Sequence, residues 1–310
     1  MARVLDPYWF CGEILAPGNL ELHPVYIQHL PKTGTTTLFT ALKGAFDAQF
    51  QMIAEGVPNF TALRSGRLDA PEDLSVGRIR EQFALIASHH PFGFHQRFEK
   101  PFTKLITVVR EPYRRVYSAY TYGCMRSGEK PTPQGFKDFF GDETNRNVMS
   151  KLLSGRNVHD RSGDADAETS ITNLHNNFVL FGTTAHITDI TSQILKLNKL
   201  PNVLCDHLNK TEKEYLLPGD EFKDEILSLN DQDVSLFDHI HKNPRIEIPH
   251  LNEQRTNTPH QRTVLIQEVT NKTEGAFGRS LTVPTDRVLP LIVDGRCDKT
   301  QFDKFFESDT

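Results

Sequence analysis

The chain of 310 residues carries 37% hydrophobic, 24% charged and 9% aromatic side chains, which excludes a disordered tail, a collagen-like repeat and a small disulfide-stapled scaffold. With 35 Lys and Arg against 40 Asp and Glu, the formal charge is −5, so bulk nucleic-acid binding, which needs a basic excess, is not expected. No stretch approaches the roughly 20 apolar residues of a transmembrane helix, so no integral membrane segment is expected either.

The elements follow in chain order. Val25-Tyr26-Ile27-Gln28-His29-Leu30 is a short β-branched apolar run of the buried-strand type, ending at the turn residues Pro31-Lys32-Thr33-Gly34. Leu38, Phe39, Leu42, Ala45 and Phe46 then recur at helical spacing. Phe83–Ala87, Leu105–Val109 and Phe178–Gly182 read as further buried strands. Continuous rather than alternating apolar runs predict strands covered on both faces, as in a parallel α/β sheet. Between them, residues 187–197 and 222–229 carry helical patterns, and 160–170 reads as an exposed loop. Val288–Val293, broken by Pro290, is a candidate edge strand. The chain divides into an N-terminal segment (1–20), a main α/β domain (21–245) and an extension (246–310) of undefined fold, packed on the same domain. Residues 51–78, 124–146 and the tail after 245 are the least patterned.

Cys11, Cys124, Cys205 and Cys297 are far apart and form no C-x-x-C pair, so zinc ligation is unsupported and free thiols are the simpler reading. The N-terminus, with an early Asp6 and Pro7, makes a poor signal peptide. The three sequons, at Asn59, Asn209 and Asn271, are patterns short enough to arise by chance. The expected compartment is the cytoplasm.

Chemistry enters at Pro31-Lys32-Thr33-Gly34-Thr35-Thr36-Thr37, between a strand and a helix. Backbone N–H groups and the positive dipole end of a helix make an anion seat there. Lys32 adds charge, Gly34 lets the backbone approach, and the threonine hydroxyls add donors. A helix cap alone would need one hydroxyl residue, not three in a row. A nucleoside-triphosphate loop would read G-x-x-x-x-G-K-S/T; here the lysine precedes the only glycine of the loop.

The second motif is Arg110-Glu111-Pro112-Tyr113-Arg114-Arg115-Val116-Tyr117-Ser118-Ala119-Tyr120. Arg110 leaves the carboxyl end of a strand, where open α/β sheets bind ligands. Ser118 lies about two helical turns on, and the two could clamp a second phosphate. The plainer alternative is a basic helix start with solvated arginines.

Together the two motifs resemble those of sulfotransferases that use 3′-phosphoadenosine 5′-phosphosulfate (PAPS). The first resembles the 5′-phosphosulfate loop. The second, through Arg110, Pro112, Arg115, Ser118 and Tyr120, resembles the 3′-phosphate motif. His29-Leu30-Pro31-Lys32-Thr33 is similar to the start of the carbohydrate (heparan and dermatan uronyl-type) branch and its bacterial relatives. The resemblance covers about residues 21–245 and implies the sulfotransferase variant of the P-loop architecture. It implies that the amides of Thr33, Gly34, Thr35, Thr36 and Thr37, with Lys32 and the threonine hydroxyls, hold the 5′-phosphosulfate, and that Arg110 and Ser118 hold the 3′-phosphate. Asn147 and Gly155 are weakly similar to a further family segment.

Sulfuryl transfer to an alcohol needs a base and a group that neutralises the leaving phosphate. Lys32 suits the second role. Ser88-His89-His90-Pro91-Phe92 resembles the family's Gly-His-x-x-Phe segment, which implies His89 as base, with His90 and then His95 next in order and Ser88 standing where the family has glycine. The implied reaction moves a sulfuryl group from PAPS to an acceptor hydroxyl, on a carbohydrate by branch resemblance, and releases adenosine 3′,5′-bisphosphate with no metal required. Two alternatives stay open, an inactive nucleotide-binding module and a P-loop-type kinase. The branch's animal members lie in the Golgi lumen behind a membrane anchor, which is the alternative location if such an anchor has been removed here.

Overall fold

The computed structural model describes residues 3–4, 8–10, 23–53, 61–63, 85–97, 102, 104–160, 165–198, 200, 202–206, 220–249, 251, 263–271 and 276–284. Its centre is a parallel sheet. β3 (Val25–Gln28) pairs with β5 (Leu85–Ser88) on one side and β6 (Lys104–Val109) on the other; β4 (Thr61–Leu63) and β7 (Phe178–Thr183) complete the order β4-β5-β3-β6-β7 with every pairing parallel. The fold is therefore α/β.

The strands carry apolar side chains on successive positions because both faces are covered. On one face Val25, Ile27, Leu85, Ala87, Ile106, Val108 and Leu180 pack with Leu38 and Leu42 of α1 (Thr35–Ile53) and with a later helix through Ile190 and Ile194. On the other, Tyr26, Ile86, Leu105, Val109 and Phe178 pack with Met149, Leu174, Leu236 and Ile240. The period-2 split within each strand is what a sheet between two helical layers requires.

The remaining helices are α2 (Pro112–Ser127), α3 (Pro133–Gly141), α4 (Val148–Leu153), α5 (Ala167–Asn177), α6 (Ile187–Leu197), α7 (Lys223–Leu229) and α8 (Asp231–Lys242). α2 starts with Pro112 in the first turn behind the Glu111 cap, whose carboxylate accepts from the amides of Tyr113 and Arg114, and it stops at left-handed Gly128. Its apolar face, Tyr113, Val116, Tyr120 and Cys124, packs on Phe136 and Phe140 of α3 and Ile226 of α7. The Cys124 thiol is free and buried.

A second sheet collects β1 (Arg3–Val4), β2 (Tyr8–Phe10), β8 (Asn202–Asp206), β9 (Thr263–Asn271) and β10 (Ala276–Pro284) in the order β1-β2-β8-β9-β10, with β8 and β9 parallel and the other pairs antiparallel. The N-terminal segment and the extension thus both contribute strands beside one from the main domain. The candidate edge strand 288–293 lies outside the described residues.

The loop expected over 160–170 needs correcting. Ala167–Ser170 is already helical, because the Asp166 carboxylate caps α5 by accepting from the Thr169 amide. Likewise α3 runs through a stretch that carries little apolar pattern; it is seated by the Thr132 cap and by Phe136 and Phe140. No helix among the described residues is long and apolar enough to cross a membrane.

Candidate functional site

From β3 the chain passes outward through β4 and back to β5, then crosses to β6 and β7 on the other side. The reversal falls at β3, so the carboxyl ends of β3, β5 and β6 lie side by side at one edge of the sheet, the edge where open α/β sheets take ligands. The three segments that leave those ends are 29–37, 89–95 and 110–118.

The first is the glycine–threonine loop. Lys32 (φ 65°) and Gly34 (φ 83°) both take left-handed backbone on either side of Thr33, an alternation of the kind that turns successive N–H groups to one side. The Gly34 carbonyl accepts from Thr37 N at 3.0 Å and Leu38 N at 3.3 Å, which starts α1 and leaves the amides before Thr37 without intrahelical acceptors. Glycine at 34 is favoured by its backbone, and the tip of Ile187 would also have to turn aside for a side chain. A side chain would strain the left-handed backbone, and its Cβ would lie 2.7 Å from Ile187 Cδ1 at the start of α6.

The threonines divide by direction. The hydroxyls of Thr33 and Thr35 are buried and donate to the Leu30 carbonyl at 3.0 and 3.1 Å. They tie the loop to the strand end, and while those bonds hold their protons are not offered to an anion. Thr36 is half-buried, with Oγ1 3.4 Å from His29 Nε2, and Thr37 is buried in the first turn. Of the loop's donors, the hydroxyls of Thr33 and Thr35 are thus occupied, which leaves its amides and the hydroxyls of Thr36 and Thr37.

Two cations meet at the loop. Arg110, at the end of β6, donates from Nη1 to the Lys32 carbonyl at 3.1 Å. The Lys32 ammonium sits 3.5 Å from the centroid of the Tyr122 ring, on α2. Burial, and then the charge of Arg110, lower the Lys32 pKa to about 8. Arg110 is itself opposed by burial and by Arg114, with Glu111 working the other way. Glu111 spends its carboxylate on the cap of α2, accepting from Tyr113 N at 3.3 Å and Arg114 N at 2.7 Å. Ser118 is half-buried and shares a helix face with Tyr122, four residues on, so the face that meets Lys32 also carries Ser118.

Other residues of the second motif serve the scaffold. Arg115 is buried, donates from Nη2 to the Asn145 carbonyl at 2.6 Å and faces the charge of Asp233. The Tyr120 hydroxyl donates to Thr132 O at 3.1 Å and accepts from Thr132 N at 2.9 Å. Asn147 joins α4 to α8: its amide donates to Asn230 Oδ1 at 2.9 Å, and its Oδ1 accepts from Asp233 N at 3.1 Å. Asp233 returns the contact by accepting from Met149 N at 3.2 Å and Ser150 N at 2.7 Å. The same segment braces the histidine loop, with Phe92 N donating to Leu152 O at 2.7 Å and a Cβ at Gly155 placed 3.3 Å from Phe92 O.

The histidines separate as well. The His29 amide donates to Ser88 O at 2.8 Å, extending the β3–β5 register so that the His29 and His89 rings lie 4.0 Å apart at 30°. Ser88 Oγ accepts from His90 N at 3.1 Å, and the His90 carbonyl accepts from Gln28 Nε2 at 2.6 Å. The His90 ring is stacked on Phe94 at 4.0 Å. His95 is buried against Tyr26 and Phe92, and burial lowers its pKa. Of the three ranked histidines, His89 has its ring against that of His29, whose Nε2 lies 3.4 Å from Thr36 Oγ1 in the glycine–threonine loop.

Two residues were given no role by sequence, His29 and Tyr122. Each had a signal: His29 stands just before the loop on a strand end, and Tyr122 follows Ser118 by one helical turn. The arrangement as a whole brings together the amides of the loop, two half-buried cations that oppose each other among the described residues, and a pair of imidazoles. No family model matches the chain, and no curated protein is similar enough to count as a relative.

Proposed function

We propose that the chain is a PAPS-dependent sulfotransferase that acts on an acceptor hydroxyl, built on the P-loop-like sulfotransferase fold. The observation that carries the reading is the meeting of Lys32 and Arg110. Two half-buried cations are held close enough to oppose each other, and among the described residues the charge acting on Lys32 is a further cation. Such an arrangement costs stability unless a polyanion binds there. The all-parallel sheet with the loop after its central strand supports the same reading.

The residues suit a ligand phosphorylated at two places. The amides from Thr33 to Thr37 and the Lys32 ammonium take the 5′ end; Arg110 and Ser118 take the 3′-phosphate. The hydroxyls of Thr33 and Thr35 hold the loop's shape instead. PAPS would supply the activated sulfuryl group. In the transfer the acceptor oxygen bonds to sulfur, the sulfur–oxygen bond to the phosphate breaks, and the acceptor proton passes to His89. Lys32 stabilises the charge that develops on the leaving phosphate. A carbohydrate acceptor rests on motif resemblance to one branch, as does a cytoplasmic enzyme of bacterial type.

Calorimetric titration with adenosine 3′,5′-bisphosphate, with ADP and ATP as controls, tests the class. Selective micromolar binding, about 8 kcal/mol, that weakens in Arg110→Ala is expected. Preference for ATP would reopen the kinase alternative. Tight bisphosphate binding without turnover on any sugar or other alcohol would favour a binding module.

A further inference from the structure

We propose that Tyr122 is a positioning residue for Lys32, its ring face forming the seat that holds the ammonium at the mouth of the anion loop. The inference deepens the reading above and rests on it for the identity of the anion.

Both ends of the Lys32 side chain are fixed. Its root is held by left-handed backbone and by the Arg110 bond to its carbonyl. Its tip lies 3.5 Å from the Tyr122 ring centroid, well inside cation–π range. The kind of contact matters. A carboxylate in the place of Tyr122 would neutralise the ammonium and compete with an incoming anion. Bulk water would leave a four-carbon stem free among its rotamers, to be ordered at each binding event. An aromatic face attracts the charge, fixes the stem and leaves N–H donors for a ligand oxygen.

The placement also links the two ends of the ligand site. Tyr122 lies one turn beyond Ser118 on the same face of α2, so one rigid helix sets both the Lys32 ammonium and the second phosphate contact. The charged group opposing Lys32 is Arg110, from the end of β6; Tyr122 is the titratable group beneath it.

The test uses the full chain and the variants Tyr122→Phe and Tyr122→Leu, with Tyr122→Met as a second apolar replacement should the leucine form fail to fold. Protonation of Lys32 is followed without ligand, through the pH dependence of its acetylation rate in peptide mass spectrometry. Binding of adenosine 3′,5′-bisphosphate is measured by calorimetry on the same proteins. Tyr122→Phe keeps the ring and should leave the Lys32 midpoint where it is. Tyr122→Leu keeps the burial and loses the ring face, so the midpoint should fall by about half a unit and bisphosphate binding should weaken roughly three- to tenfold. An unchanged Lys32 midpoint in both apolar variants overturns the proposal. A shifted midpoint in a protein that does not bind the bisphosphate supports the seat and removes the sulfotransferase reading.

Discussion

Arg110 and Lys32 are joined by a bond from guanidinium to backbone carbonyl at 3.1 Å, so the first side chain after β6 holds the loop after β3. On the proposed reading Arg110 therefore acts on anion binding in two ways, through its charge and through the loop. Arg110→Ala should weaken adenosine 3′,5′-bisphosphate binding by at least tenfold, on the order of 1.5–3 kcal/mol for a charge-assisted contact. Arg110→Lys should recover only part, since an ammonium lacks the planar fork. Calorimetry on the three proteins checks this.

The low Lys32 pKa sets a pH window. Below about 8 the ammonium is present and favours a bound anion; above it the charge is lost. Bisphosphate affinity should fall as pH rises through about 8, and Lys32→Arg should remove that limb. Stability runs the other way. Because Lys32 binds its proton less readily in the folded chain than in the unfolded one, stability from this group rises as pH climbs from about 8 towards the ordinary lysine range. Lys32→Met should melt higher than wild type at pH 7 and lose that advantage at high pH, as scanning calorimetry would show.

Gly34→Ala brings a Cβ to 2.7 Å from Ile187 Cδ1 at a backbone with φ 83°. The expected cost is about 1–3 kcal/mol in chemical denaturation, with loss of anion binding. The Ile187 tip can turn aside, so the cost is mainly dihedral strain, and adding Ile187→Ala should restore no stability because it also removes a core contact.

His89→Ala should lower turnover about 100-fold or more while bisphosphate affinity stays within a few-fold of wild type. His90→Ala should do much less, because that ring is stacked on Phe94. The reverse ranking in a steady-state assay would move the base to His90.

Asp233 accepts two amides of α4 and faces buried Arg115. Asp233→Ala leaves Arg115 buried without its counter-charge and should cost about 3–5 kcal/mol in urea unfolding.

The parallel sheet was legible because strands such as Leu105–Val109 bury both faces and so read as unbroken apolar runs. The glycine–threonine loop was legible from residue type, but the direction of its hydroxyls was not. Leu30, whose carbonyl captures Thr33 and Thr35, says nothing in sequence about where its oxygen points. The His29–His89 pair depends on the register Gln28↔Ser88 between strands sixty residues apart, which no local pattern encodes. Asp166 and Thr169 misled for another reason: Asp and Thr favour loops and helix starts alike, and only the cap geometry separates the two. α8 carried its signal in Leu236 and Ile240, four apart, but the acidic residues around them hid it.

The reciprocal caps of Asn147, Asn230 and Asp233 have a consequence for the order in which the chain acquires its parts. Neither the six-residue α4 nor the start of α8 satisfies its terminal amides alone, and the partners lie more than eighty residues apart. A chain emerging from the ribosome can close the Lys32 loop only once Arg110 and Tyr122 have followed β3 and α1. The seat for the histidine segment, which hangs on the Leu152 carbonyl, waits until Asp233 has been made. On the proposed sulfotransferase reading, a nascent or truncated chain would thus hold its glycine–threonine loop before it could present His89 in place, and catalysis would be the last capability it gains.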